Sequence, residues 1–518
     1  MISEKRRMHP VALITNILKE LKDSIIPIVM LVVIGGKGED ASFLDKLFVF
    51  IIPAVIFSFS IISGLIKWLR FTYRLEEGEL RIEHGLFVRK KRYIPFERVQ
   101  SITTSEGILH RIFGLVKINI ETAGGGVGES EAALTAITKE EANTIKQIVK
   151  KAKDQHKQKA ETEIEETDES REISVVEEQK QFIYSMSYRD IFIFSLTSGG
   201  ALGIIGALVA FILQFDEILP VDTIITEFQD FVKHGIVMVA IVTLFAIVVA
   251  YIIAIIRTML KYANFRVEKT EENLIISSGL LEIKQVTVPL KRVQGIEIKE
   301  GLFRRMFGYA AIHVISAGGS TIDGESGAIM ISPLIKKVEI AAIIQKCLPE
   351  YQINVSFHPV PERAKTRYIM RPFYRLIIPV IIGAYFFNPW GYLLFLLLPL
   401  FMFFGYLSYQ FAGWNITGNQ LVLRHRFLNA NTSYMFKHRI QSLDISQNWL
   451  QKRKSLRSVS AVIMSGLGGA GGDTIDMDKD EAMQIFMWYS KTEQQSKLAN
   501  VNKELEKFNE TSDVHKDC

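Results

Sequence analysis

Cysteine is almost missing from this chain of 518 residues: Cys347 and Cys518 are the only two. Two thiols so far apart rule out a disulfide framework and offer no metal-ligand spacing. The ten histidines are scattered, without a His-Glu-x-x-His run, so nothing points to a zinc hydrolase site. The glycine clusters lack the Lys and Ser/Thr of a phosphate loop, and Gly124–Gly128 is no nucleotide cradle. No cofactor is expected. Charge of one sign is not in large excess either. A net charge of only +5, with aromatics concentrated in apolar runs, argues against a nucleic-acid partner. The most informative absence is local: Leu47–Ile66, Ile191–Leu213, Gly235–Ile256 and Gly391–Phe411 contain no charged residue at all.

About 20 apolar residues at 1.5 Å rise cross a hydrocarbon core of roughly 30 Å, so these four stretches predict membrane spans. Two shorter ones, Ile25–Ile34 and Leu376–Phe387, each lie just ahead of a longer one, which makes six spans in three pairs. The remaining chain carries 23% charged residues and requires solvated domains. Lys5, Arg6 and Arg7 precede no secretory apolar core, because Lys19, Glu20 and Lys22 interrupt the adjoining segment; no cleaved signal is expected. Val11–Leu21 keeps helical spacing, either as an interfacial helix or as one packed on the first solvated block. The loop Asp216–Phe231 is acidic without Lys or Arg, whereas Arg189, Arg257, Lys261 and Arg363–Arg375 flank the spans on the other side. The positive-inside bias therefore places the solvated blocks and both termini in the cytoplasm.

Each span pair leads into the same cassette. Arg98-Val99-Gln100 recurs as Arg292-Val293-Gln294 and as Arg439-Ile440-Gln441. Nine residues after each Gln stands an apolar residue (Leu109, Phe303, Leu450), and eleven after, a base (Arg111, Arg305, Lys452). Fourteen after comes a small residue (Gly114, Gly308, Ser455). Glycine pairs occur next at Gly124-Gly125 and Gly318-Gly319, with a looser Gly466–Gly472 in the third copy. Fixed offsets repeated three times mark an internal repeat. Within it, alternating segments such as Phe71–Leu75, Leu80–Ile82 and Val116–Ile120 predict short antiparallel strands. Each cassette then ends at a helix start: Thr138-x-x-Glu141 (a capping box), Ser332-Pro333, or Asp478-x-x-Glu481. The expected fold is a multi-pass α-helical membrane protein with three all-β modules, each closed by a C-terminal helix and like a pleckstrin-homology (PH) domain.

Pro95-x-Glu97-Arg98-Val99-Gln100-Ser101, followed by Leu109-His-Arg111-Ile-Phe113-Gly114 and Glu121-Thr-Ala123-Gly124-Gly125, resembles the bacterial pleckstrin-homology-like membrane proteins of the YdbS/YdbT type. The three-module layout resembles that of the YdbT branch. The third copy departs, with Phe436 at the proline position and Ser455 at the glycine. The resemblance implies a cell-membrane protein with cytoplasmic modules. It also implies a role in protection against membrane-active bacteriocins and a smaller PH-like membrane protein as paired partner. The expected layout is an interfacial helix and span pair in 1–70, module one in 71–153 and an acidic linker in 154–182. A span pair in 183–260, module two in 261–348 and a linker in 349–362 come next. A span pair in 363–411, module three in 412–490 and a charged tail in 491–518 complete it.

Two basic clusters, Arg89-Lys90-Lys91-Arg92 and Lys452-Arg453-Lys454 with Arg457, are candidate contacts to anionic lipid or a partner. The alternative is an ordinary solvated face. Arg98, Gln100, Arg292, Gln294, Arg439 and Gln441, with Gly124, Gly125, Gly318 and Gly319, are expected to be structural, as strand bulges and tight turns. The acidic cluster Asp473, Asp476, Asp478 and Asp480 lacks calcium-loop spacing and reads as a solvated hairpin tip. With no catalytic or metal constellation, the expectation is a non-catalytic protein of the bilayer, and the resemblance implies that it acts against antimicrobial peptides. The alternatives are a transporter or flippase-like protein, disfavoured by uncharged spans, or a scaffold for another membrane complex.

Overall fold

Alternation in the sequence becomes one-faced burial in the strands. Tyr73 and Leu75 are buried on β2 (Thr72–Glu76), and Leu80 and Ile82 on β3 (Glu79–His84). Glu77 and Gly78 join them at φ 53° and 78°, the left-handed pair whose twist suits a two-residue hairpin. The computed structural model describes residues 5–18, 43–85, 88–122, 132–162, 180–198, 236–317, 328–386, 390–465 and 468–490.

Among the described residues, every cassette uses seven strands. The first is short and lies upstream of the apolar segment: β1 (Arg6–Arg7), β8 (Gln181–Ser185) and β15 (His358–Pro359). Three more lie just after that segment: β2, β3 and β4 (Lys90–Pro95); β9 (Arg266–Lys269), β10 (Asn273–Ser278) and β11 (Ile283–Pro289); β16 (Gly413–Thr417), β17 (Gln420–Arg426) and β18 (Ala430–Phe436). The last three are β5 (Val99–Glu106), β6 (Leu115–Thr122) and β7 (Ala132–Thr138); β12 (Val293–Glu300), β13 (Tyr309–Ser316) and β14 (Ala328–Lys336); β19 (Ile440–Ser446), β20 (Leu456–Ser465) and β21 (Gly468–Asp478). A helix closes each set: α4 (Lys139–Thr162), α8 (Ile340–Cys347) and α12 (479–490). In the first cassette Ile145 and Val149 of α4 share one core with Leu80, Ile94, Ile118 and Leu134. Burying each such side chain stabilises by roughly 1.5–3 kcal/mol.

The sheets do not stop where the repeats stop. A module closed on itself would leave the outer edges of β5 and β12 without hydrogen-bond partners. Instead β5 pairs with β11 of the next cassette, giving a seven-stranded sheet in the order β7-β6-β5-β11-β10-β9-β8. Likewise β12 pairs with β18, in the order β14-β13-β12-β18-β17-β16-β15. The register is the same at both: Ile102 faces Thr287, and the equivalent Ile296 faces Tyr434. Satisfied edge amides are the physical gain. The chain consequently divides into compact units at Met1–Pro289 and Leu290–Cys518, through the middle of the second cassette. The sheets β1-β2-β3-β4 and β19-β20-β21 complete the two units.

Among the described residues, Ile51–Arg70 (within α2, Phe43–Arg70), Glu362–Phe386 and Gly391–Phe411 are helical, long and apolar enough to cross a membrane. A further 27-residue helix, α6 (Ile236–Tyr262), is uncharged as far as Ile256. Ile25–Ile34 and most of Ile191–Leu213 lie outside the described residues; α5 (Tyr188–Thr197) covers the start of the latter. Helices α9 (Lys365–Phe386) and α10 (Leu397–Phe411) form a tight pair, in which a Cβ added to Gly405 would stand 2.4 Å from the Tyr368 carbonyl. Only glycine permits that approach. Helix α1 (11–18) packs Val11 and Ala12 against Leu115 and Ala136, while Ile14 and Leu18 stay exposed.

Candidate membrane-facing site

The repeated offsets after each Gln encode one short helix. Gly107, Gly301 and Asn448 start α3 (Ile108–Ile112), α7 (Leu302–Met306) and α11 (Trp449–Arg453). The small residue of the motif comes after each helix at positive φ: Gly114 at 65°, Gly308 at 74° and Ser455 at 51°. That left-handed turn sends the chain into the next strand. Five residues cannot bury a face, and these helices expose apolar side chains. Ile112 is 69% exposed, Met306 77%, Phe307 69% and Trp449 65%.

Sheet pairing brings a second apolar element to two of these helices. In the first unit, Arg111 of α3 donates to the Leu280 carbonyl at 2.9 Å, and Leu280 and Leu281 are exposed beyond β10. In the second unit, the turn after β17 presents exposed Phe427 and Leu428, with Asn429 approaching Gly301. Phe427 lies 6.2 Å, centroid to centroid, from Phe401 of the apolar helix α10. Each patch thus joins a helix of one cassette to a turn of the next. Contiguous exposed apolar surface with basic residues at its edge marks a membrane or protein contact.

Arginine gathers at the second patch. The guanidinium of Arg305 lies 4.6 Å, and that of Arg424 4.8 Å, from the ring centroid of Phe411, the last residue of α10; Arg424 also stacks on Phe357 at 4.0 Å. Arg426 lies on the same face of β17, where Ala430 separates it from Glu300 across the sheet. Glu300 pairs with Lys337 at 2.6 Å and Arg305 at 3.6 Å. Burial first, and the charge of Arg305 second, hold the guanidinium pKa values of Arg424 and Arg426 below their ordinary level.

The residues singled out from sequence fall into distinct places. Arg98, Arg292 and Arg439 each end a 3₁₀ turn, and Val99, Val293 and Ile440 begin the following strand, buried. The register slips at Gln100, Gln294 and Gln441 in turn, so each Gln occupies a bulge. Gln294 donates to the Arg292 carbonyl at 3.1 Å, and Arg439 to the Lys291 carbonyl at 3.0 Å. Gly124, Gly125, Gly318 and Gly319 lie outside the described residues. Lys90, Lys91 and Arg92 are exposed on the edge strand β4, and neighbouring Arg89 is paired with Glu83. Lys452, Arg453 and Lys454 are exposed at the end of α11, where Arg453 stacks on Trp449 at 4.2 Å; Arg457 is half-buried.

Two expectations are corrected. Ser332-Pro333 starts no helix but lies inside β14, and the closing helix begins only at Ile340, because the strand needs those residues to pair with β13. Asp476 is no solvated tip residue but fully buried at φ 56°. It receives Arg367 at 3.2 Å, Arg371, and the Gln451 amide at 2.8 Å. Tyr368 donates to the neighbouring Ile475 carbonyl at 2.6 Å, so α9 is bolted to β21. Asp478 pairs with Arg363, and Asp473 with His425 at 3.0 Å. Sequence reasoning also missed Arg424 and Arg426, whose only signal was a basic Arg-His-Arg strand end.

The bacterial PH domain family matches this chain three times, at residues 25–153, 208–350 and 375–493. A transmembrane protein of Bacillus subtilis (strain 168), UPF0699 transmembrane protein YdbT, is 38% identical over 497 residues, covering 95% of this chain and 99% of its own length. No solved structure matches.

Proposed function

The chain belongs to the bacterial PH domain family, and from that premise we propose a multi-pass, non-catalytic protein of the cell membrane that guards it against membrane-active antimicrobial peptides. The modules and both termini lie on the cytoplasmic side, in keeping with the basic residues that flank the apolar runs. The supporting observation is the pair of composite apolar patches, one of which contacts the apolar helix α10 through Phe427 and Phe401. Each buried large apolar side chain contributes roughly 1.5–3 kcal/mol, and each basic residue beside anionic lipid about 1 kcal/mol. Each such patch lets its own unit occupy the inner leaflet and resist a peptide's disruption of it. A smaller PH-like membrane protein is the partner this reading favours.

Deleting the gene should sensitise cells several-fold to at least one membrane-permeabilising peptide and leave solute uptake unchanged. Re-expression of Phe303→Ser/Phe307→Ser should restore protection only in part. If deletion abolishes transport of a defined solute while peptide sensitivity stays at wild type, the transporter alternative holds instead.

A further inference from the structure

We infer that Arg305, Arg424 and Arg426 form a binding site for the phosphate of an anionic phospholipid headgroup, with the exposed Phe427–Leu428 turn beside it among the acyl chains. The site rests on the proposed membrane function, but its chemistry is independent of peptide protection. Among the described residues, the four cations Arg305, Lys337, Arg424 and Arg426 share one nearby carboxylate, Glu300. Glu300 is engaged by Lys337 and Arg305, and among the described residues neither Arg424 nor Arg426 has a carboxylate partner. The Nε–H groups of both, and an Nη1 of Arg305, are buried without an acceptor. Buried donors left unmade are costly, and like charges held together more so. An anion with several oxygens answers both needs, because guanidinium forks match phosphate oxygens in pairs.

Position selects a lipid over a free anion. Arg305 and Arg424 share the ring of Phe411, the last residue of the apolar helix. Phe427 reaches back along that helix to Phe401. Inorganic phosphate would use the arginines and leave this apolar flank exposed; a phospholipid covers both. The charge is also particular to this junction. Counted from the first residue of the strand, Arg424 and Arg426 correspond to Ser277 and Gly279 in the second cassette, and to Glu83 and Gly85 in the first.

The test uses the full chain in a nonionic detergent, titrated with short-chain phosphatidylglycerol, short-chain phosphatidylcholine or inorganic phosphate while Tm is followed. Phosphatidylglycerol should raise Tm saturably, and the other two should not. Arg424→Gln/Arg426→Gln should need about tenfold more phosphatidylglycerol and, relieved of like charge, should be no less stable without lipid. Should that double variant fail to fold, Arg426→Gln alone is expected to give a smaller loss in the same direction. Lys346→Gln/Lys479→Gln, at two exposed lysines outside every basic cluster, should bind as wild type. The site is overturned if the arginine variants bind as wild type, if the lysine variant loses as much, or if inorganic phosphate raises Tm equally. Wild-type protein that resists carbonate extraction yet lacks a phosphatidylglycerol response sinks the site alone. Wild-type protein released by carbonate sinks the membrane reading and the site together.

Discussion

The first and third cassettes dock the start of the helical segment upstream of their main strands onto the same strand position by opposite chemistry. Two residues before the end of β7 stands Ala136, buried against Met8 and Val11. Two residues before the end of β21 stands Asp476, buried against Arg367 and Arg371. The helix–turn patches differ in the same sense: a lone Arg111 satisfied by a backbone carbonyl in one unit, three crowded arginines in the other. One backbone plan was built repeatedly, and the third copy put charge where the first kept methyl groups. Apolar docking tolerates sliding. A buried ion network fixes a single geometry and is sensitive to the loss of either partner.

That contrast can be broken most severely at Asp476. Asp476→Asn leaves Arg367 and Arg371 facing a buried site without its carboxylate and should cost about 3–5 kcal/mol, read as a large fall in Tm. Ala136→Ser in the first unit should cost far less, on the order of 1 kcal/mol. Equal losses at the two positions would erase the distinction between ionic and apolar docking.

Acid should separate the units next. Nineteen residues after the motif Gln, the second cassette carries His313 where the first has Asn119. Burial, aided by Lys299 and Arg304, pushes the His313 imidazole down to about 3. A folded value below the ordinary 6.5 means the stabilisation is complete above pH 6.5 and is lost as pH falls toward 3. Between pH 7 and 5 the loss should be about 2 kcal/mol. Thermal unfolding of His313→Asn, the residue of the first cassette, should show a correspondingly flatter pH profile. A wild-type profile in the variant would remove His313 as the cause.

The smallest effect lies at the helix exit. Ser455 adopts the left-handed conformation that Gly114 and Gly308 occupy in the other copies. Ser455→Gly should stabilise by about 1 kcal/mol, whereas Gly308→Ser should destabilise by a similar amount. Unfolding midpoints of the two variants moving in the same direction would sever the motif position from its backbone role.

Much of the repeat was legible in the residues alone. The offset of fourteen from Gln to a small residue recurs because a left-handed turn tolerates few side chains there, and that constraint acts on residue identity. Val99, Val293 and Ile440 recur because each begins a buried strand. Asp476 was misread because burial of a carboxylate depends on Arg367 and Arg371, over a hundred residues earlier. The short strands β1, β8 and β15 escaped notice because an apolar segment separates each from the strand it pairs with.

The sequence by itself determined the three cassettes, their strand alternation, the left-handed turns and the apolar runs, since each depends on side-chain type at short range. The pairing of β5 with β11 and of β12 with β18 was decided only by the tertiary structure. Those contacts are made by backbone N–H and C=O groups, which nearly every residue carries alike, so no local pattern announces which edge a strand will join. The meeting of Arg305 with Arg424 and Arg426 results from that pairing, across more than a hundred residues of chain.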